Sequence, residues 1–200
     1  LLNFDIIPPY LKWLRKEYKD IHCDLNLFTN GLLLNKKRIK YFIKQRVNMH
    51  ITYDSNYDYY SLGKNTTPEN HKHVLSMIKS IVKINPYNVI PIYVINNDAP
   101  QNLQSYGENM NTIGIKSIFI VRKLFDKWTK LDIETILKIS HKIRQNYGMK
   151  VIIGPEATFS CTDCYPQNLM VYPDGSIFDN CLTFGCALYN LGFVSKKNLF

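Results

Sequence analysis

Apolar side chains return along most of this chain at two alternating periods, and that alternation predicts an architecture. Behind Pro8-Pro9, the residues Ile7, Tyr10, Leu11, Leu14 and Tyr18 share one helical face, and proline suits a helix's first turn. Asp24 to Thr29 (DLNLFT) then alternates as a strand ending on the turn signal Asn30-Gly31. Ile39, Phe42 and Ile43 mark a second helix, and Val47 to Tyr53 (VNMHITY) a second strand. Thr66 and Glu69 have capping-box spacing, with Pro68 in the first turn, ahead of a helix through Val74, Met77, Ile78 and Ile81. Asn88 to Ile95 (NVIPIYVI) is apolar enough for a strand buried on both faces. Leu103, Tyr106, Met110 and Ile113 form a fourth helix closed by Gly114, before the strand Ile115 to Val121. Asp132 is placed to cap a fifth, with Ile133, Ile136, Leu137, Ser140 and Ile143 facing inward, before Lys150 to Ile153.

Five helix-then-strand units in a row, with strands apolar on both sides, predict an α/β fold with a parallel sheet under helices. A doubly wound sheet and a barrel both satisfy the pattern, which does not choose between them. The chain opens on a helix with no strand before it and has no initiator Met, so it reads as a piece of something longer. Beyond Gly154 the texture changes to cysteines, turn residues and short alternating strands, with Leu169 to Tyr172 and Ser176 to Phe178 flanking Pro173-Asp174-Gly175. The expected division is therefore 1–154 and 155–200.

With 200 residues, 46% of them hydrophobic, the chain can bury a core of ordinary size. The formal charge of +9 comes from lysines spread along an asparagine-rich sequence, a compositional bias. No run of five or six like charges and no arginine-rich stripe accompanies it, so nucleic acid is not an expected partner. No run of 18 apolar residues, no leader and no lipidation signal is found, which makes a soluble cytoplasmic protein with no membrane association the expectation. The absence of G-x-G-x-x-G, G-x-x-x-x-G-K-[ST] and G-x-S-x-G excludes phosphate-cradling and serine-hydrolase readings.

Four of the five cysteines crowd around the single hairpin signal as Cys161-x2-Cys164 and Cys181-x4-Cys186. Thiolates on either side of a hairpin converge, so both pairs suit one site of tetrahedral or cubane type. An odd cysteine count does not suit a secreted disulfide scaffold. A zinc ribbon has CxxC at both ends, and the x4 spacing here departs from it. Buried free thiols remain the bland reading, and Cys23, alone before a strand, is read as core filler.

The stretch Cys161, Pro173-Asp174-Gly175, Cys181 resembles the start of the SPASM extension of radical S-adenosylmethionine enzymes, as in anaerobic sulfatase-maturating and other peptide-modifying members. It departs in leaving five residues between Gly175 and Cys181, where four are usual, and in Cys164, where glycine is common. Tyr189-Asn190-Leu191-Gly192 is similar to the segment after the family's first cluster hairpin. Leu1-Leu2-Asn3-Phe4 looks like the segment after Gly-Gly-Glu-Pro, Thr29-Asn30-Gly31-Leu32-Leu33-Leu34 like the third-strand TNGTLL segment, and Ile51-Thr52-Tyr53-Asp54-Ser55 like the fourth-strand ISLDG segment. Asn102-Leu103 and Ile113-Gly114-Ile115 continue the order.

The resemblance implies a partial (β/α) barrel without its first two strands over 1–154, then the start of an auxiliary-cluster domain. It implies S-adenosylmethionine and an auxiliary [4Fe-4S] cluster as cofactors, a peptide or protein substrate attacked by a deoxyadenosyl radical, and an electron donor such as a flavodoxin or ferredoxin. Cys161, Cys164, Cys181 and Cys186 become the metal-ligand candidates, and Thr52, Asp54, Asn30 and Asn96 the cofactor-binding ones. The CxxxCxxC loop and Gly-Gly-Glu-Pro are missing from the sequence, so the chain as given is expected to be inactive. The alternative is a non-catalytic zinc-binding interaction module on an α/β scaffold.

Ordinary chemistry competes at each position. Asp54-Ser55-Asn56 starts a turn whatever the function, and Asn30 precedes glycine. His71 and His73, two apart on a helix, cannot share a metal and are expected in solvent. His50 is read as a hydrogen-bonded lining residue, Tyr53 to Tyr60 as lining for an opening, and Glu156 as an acid or base by place only.

Overall fold

The computed structural model describes residues 4–17, 25–57, 66–95, 101–122, 129–153, 169–171, 176–179 and 189–193. Among the described residues five helices, α1 (Ile7–Glu17), α2 (Lys36–Lys44), α3 (Pro68–Ile84), α4 (Asn102–Ile113) and α5 (Lys130–Tyr147), each precede a strand in chain order. Those strands are β1 (Leu25–Thr29), β2 (Val47–Thr52), β3 (Val89–Ile95), β4 (Ser117–Arg122) and β5 (Lys150–Ile153). Three short ones come after them: β6 (Leu169–Val171), β7 (Ser176–Asp179) and β8 (Tyr189–Phe193). The chain divides into two compact units, Asp24–Gly154, and Leu1–Cys23 with Pro155–Phe200. No helix among the described residues is long and apolar enough to cross a membrane.

In the larger unit β1 to β5 lie side by side in sequence order, and every neighbouring pair is parallel. A doubly wound sheet would reverse its strand order part-way, whereas a barrel wall advances one strand at a time. The observed order decides for the barrel type. Among the described strands β1 and β5 remain edges, so the wall is an open arc.

Alternation along each strand sorts side chains onto two faces. Val47, Met49 and Ile51 of β2, Val89, Tyr93 and Ile95 of β3, Ile118 and Ile120 of β4 and Val151 of β5 are buried on the covered face. Above them pack the inward residues of α2 (Ile39, Phe42), α3 (Val74, Met77, Ile78, Ile81), α4 (Leu103, Tyr106, Met110) and α5 (Ile136, Ile139, Ile143). At Gly107 a methyl group would meet the Ile143 side chain at 2.6 Å, which shows how closely α4 lies on α5. The opposite face carries Phe28, His50, Thr52, Val94 and Phe119, and here β3 departs from burial on both sides: Val94 is 38% exposed.

The helix ends correct three expectations. Thr67, not Thr66, caps α3, its hydroxyl accepting from Asn70 N with Pro68 in the first turn. Asp132 is not the cap of α5 but the third helical residue of a capping box, with Thr129 as the cap. That start sets a phase in which Ile136, Ile139, Ser140 and Ile143 point inward, and Leu137 is left 53% exposed.

At their C-terminal ends α4 and α5 turn through Gly114 (φ 92°) and Gly148 (φ 60°) in the left-handed region that glycine enters without steric cost. Helix α2 reaches the same region at Arg46 (φ 53°), where a Cβ is penalised by about 1 kcal/mol. Arg46→Gly is therefore expected to stabilise the chain by about 1 kcal/mol in urea unfolding; an unchanged or lower midpoint would show that the arginine side chain compensates locally.

Candidate functional site

Because the five strands are parallel, their C-terminal ends gather along one edge of the sheet, where a barrel collects its functional residues. Three of the four cofactor-binding candidates lie there. Thr52 is the last residue of β2, half-buried on the open face beside Ile92. Asn30 occupies the turn after β1, where its Oδ1 accepts from Leu32 N (3.2 Å) while Thr29 Oγ1 accepts from Gly31 N (3.1 Å). Asp54 follows β2, and its Oδ1 accepts from Asn56 N at 2.9 Å. Both Asn30 and Asp54 thus perform the turn chemistry their sequence context allows. Asn96 lies outside the described residues, as do Glu156, Cys23 and all four clustered cysteines.

The tail of β2 is held by a contact that spacing along the chain does not reveal. Tyr53 N extends the ladder by donating to Ile92 O (3.0 Å). His71 of α3 stacks on the Tyr53 ring, with centroids 4.8 Å apart and planes 9° from parallel, and meets Tyr57 edge-on at 5.7 Å. Its Nε2 lies 2.7 Å from the Asp54 carbonyl oxygen. A carbonyl only accepts, so that nitrogen carries the proton and donates. His73 uses the same atom toward Leu34 O (3.2 Å). Neither histidine is the solvated side chain expected, because each has a main-chain carbonyl to satisfy. Tyr53, only 2% exposed, packs under helix α3 instead of lining an opening.

On the helix side of the same edge a cleft of about 370 Å³ opens between the β2 tail (Asp54, Ser55, Asn56) and α4 (Asn102, Ser105, Tyr106, Asn109), with Tyr93 in its wall. Asn109 Nδ2 donates to Ser55 Oγ across it (3.1 Å), and Tyr93 stacks on Tyr106 at 4.3 Å. Burial, reinforced by the negative field of Asp54 and by Tyr53 and Tyr93, holds the Tyr106 hydroxyl well above the usual tyrosine range, so it stays protonated.

On the open face His50 is flanked by Phe28, stacked at 4.4 Å and itself 54% exposed, and by Phe119 edge-on at 6.1 Å. Its Nε2 lies 3.1 Å from Asn26 Oδ1, an acceptor, which assigns the proton to Nε2 and leaves Nδ1 as a buried lone pair without a partner among the described residues. Burial lowers its pKa to about 4. Among the described residues no group of three or more His, Cys, Asp or Glu side chains is placed to hold a metal.

No protein-family model matches the chain, and no curated protein matches it in sequence. Solved structures do match. The chain is similar to affinity-tagged anSMEcpe with bound AdoMet, at a TM-score of 0.65 and 16% identity over 98% of this chain and 59% of that one. Native anSMEcpe with bound AdoMet gives 0.60 and 17%, over 93% and 59%. Native anSMEcpe with bound AdoMet and Cp18Cys peptide gives 0.64 and 17%, over 98% and 63%. These neighbours are structures of an anaerobic sulfatase-maturating enzyme. The fold is the one these structures share with it, an open arc of five parallel strands of the (β/α)-barrel type. The chain spans about six tenths of the length of the structures it matches.

The His50 environment makes a pH prediction. The unfolded imidazole takes up a proton near pH 6.5, while the folded one stays neutral down to about pH 4. Its contribution to stability is therefore present above pH 6.5 and lost as pH falls from 6.5 through about 4. In urea unfolding at stepped pH, the stability difference between the wild-type chain and His50→Gln should change across that window and be constant above it; parallel profiles would refute the assignment.

Proposed function

We propose that this chain is part of a radical S-adenosylmethionine enzyme that modifies a peptide or protein side chain, and that its cysteine-rich portion holds an auxiliary iron–sulfur cluster. The barrel-type wall supports the first half of the reading, and the register of the small sheet carries the second. Leu169 pairs with Asp179, and Asp179 with Tyr189, both antiparallel. The segment before β6 and the one between β7 and β8 therefore join the sheet at the same end. Cys161 and Cys164 belong to the first of these, Cys181 and Cys186 to the second. Cysteine pairs in two segments that join the sheet at one end suit an iron–sulfur cluster, whose ligands are cysteine sulfurs.

In this reading the nucleoside cofactor binds at the C-terminal edge of the arc. Thr52, half-buried on the open face, offers its hydroxyl, and Asp54, fixed through His71 and the Asn56 turn, offers carboxylate oxygen to ribose hydroxyls. Asn30, whose Oδ1 serves its own turn, offers Nδ2, and Asn96, the next residue in sequence after β3, is the fourth candidate. S-adenosylmethionine held there and reduced by one electron would release methionine and supply the deoxyadenosyl radical that takes hydrogen from the substrate. The bound peptide in one anSMEcpe structure supports a peptide substrate here. The electron would come from a donor of the flavodoxin or ferredoxin type and would need a CxxxCxxC cluster, a motif this sequence does not contain.

Two measurements test the proposal. The chain purified without oxygen and reconstituted with iron and sulfide should be brown, with charge-transfer absorption lost in Cys161→Ser and Cys181→Ser; one tightly held, colourless zinc would point to the interaction module instead. The enzyme with its CxxxCxxC loop in place, once reduced, should split S-adenosylmethionine into methionine and deoxyadenosine. Loaded clusters without that cleavage would remove the radical chemistry and leave only metal binding.

A further inference from the structure

Helix α2 and the turn after it carry charge of one sign. From Leu25 through Tyr53 the sequence holds no aspartate or glutamate, while Lys36, Lys37, Arg38, Lys40, Lys44 and Arg46 fall in quick succession. Ile39 and Phe42 fix the buried side of the helix, and all of these cations except the half-buried Arg38 are exposed. None of the exposed ones forms an ion pair among the described residues.

The placement runs against helix physics at three points. Lysines occupy the first two positions of α2, where the unsatisfied N–H groups favour negative charge, and its first turn has no acid, whereas α3 and α5 have Glu69 and Asp132 there. Lys36, Lys40 and Lys44 succeed one another at four-residue spacing and repel along one stripe. Arg46 sits in the left-handed conformation for which α4 and α5 use glycine. Lysine bias alone accounts for cations spread along the chain, whereas a cluster that breaks three local rules at once is the kind of departure that functional surfaces carry.

We propose that the outer face of α2, continued by Arg46, is a docking surface for an acidic protein partner. Lysine predominates in it, a hydrated point charge on a flexible stem, which suits a fast and reversible encounter steered by long-range attraction. Single-stranded nucleic acids add stacking on exposed aromatic planes, and Tyr41, which lies beside the stripe, is half-buried and packs edge-on against Phe42. The inference does not depend on the radical chemistry proposed above.

The test titrates the purified chain with poly-L-glutamate at stepped salt, beside a DNA duplex of equal charge. The triple variant K36E/K40E/K44E should bind polyglutamate at least about tenfold more weakly and with a flatter salt dependence. K116E/K138E/K142E, which changes net charge equally at lysines exposed elsewhere, should lose less than about threefold. K36Q/K40Q/K44Q should show the intermediate loss and guards against misfolding of the reversed variant. Equal weakening by the two reversals would reduce the effect to bulk charge and overturn the proposal. So would a duplex that binds more tightly than polyglutamate and loses more in the α2 variant.

Discussion

A parallel sheet can continue only if the chain returns over one of its faces after every strand, and everything else in the larger unit stems from that requirement. Each return between β1 and β5 carries a helix, so one face of the arc is sealed by apolar packing while the strand ends line up at one edge. Strand β2 shows the division most clearly. Met49, Ile51 and Tyr53 go to the helices, and Asn48, His50 and Thr52 to the open face. A slip of one residue would put His50 under α3 and expose Ile51, so the apolar alternation that holds the sheet also aims Thr52.

The same requirement explains why a histidine far along the chain governs the end of β2. A strand loses its ladder partners where it leaves the sheet, and each freed carbonyl needs a donor. Tyr53 makes one more ladder bond, to Ile92, and the next carbonyl, that of Asp54, receives His71 from the helix overhead. The ring adds stacking on Tyr53, which anchors the turn to α3 by two kinds of contact. Asp54 is thereby fixed through its main chain, while its carboxylate closes the local turn with Asn56.

Periodicity carried the larger unit far. Its five strands and four helices, the parallel pairing and the inward residues of α3 are legible because apolar spacing reports which side of an element meets its neighbour. What spacing does not report is the partner. His71 and His73 read as solvated because their acceptors, Asp54 O and Leu34 O, are main-chain atoms distant in sequence. Cap positions shifted by one residue or by three, to Thr67 and Thr129, because several polar residues stood before each helix and only geometry selects among them. Barrel or doubly wound sheet is a matter of strand order, which no local pattern encodes. The turn residues at Asn30 and Asp54 are the instructive case: turn and ligand chemistry ask for the same side chains, so the sequence pattern does not separate the roles, and the structure shows the turn.

The small sheet poses the opposite problem. Its strands, Leu169–Val171, Ser176–Asp179 and Tyr189–Phe193, are short for a sheet that must hold itself together in water. Strands of that length have little apolar area to bury against the entropy lost on ordering them. Under the proposed reading the thiols answer that shortfall, because metal binding to ligands that converge only in the folded state is itself folding free energy. The hairpin would then not be a scaffold that happens to carry a cluster. Under that reading the sheet draws its stability from the metal, and chelation would unfold it.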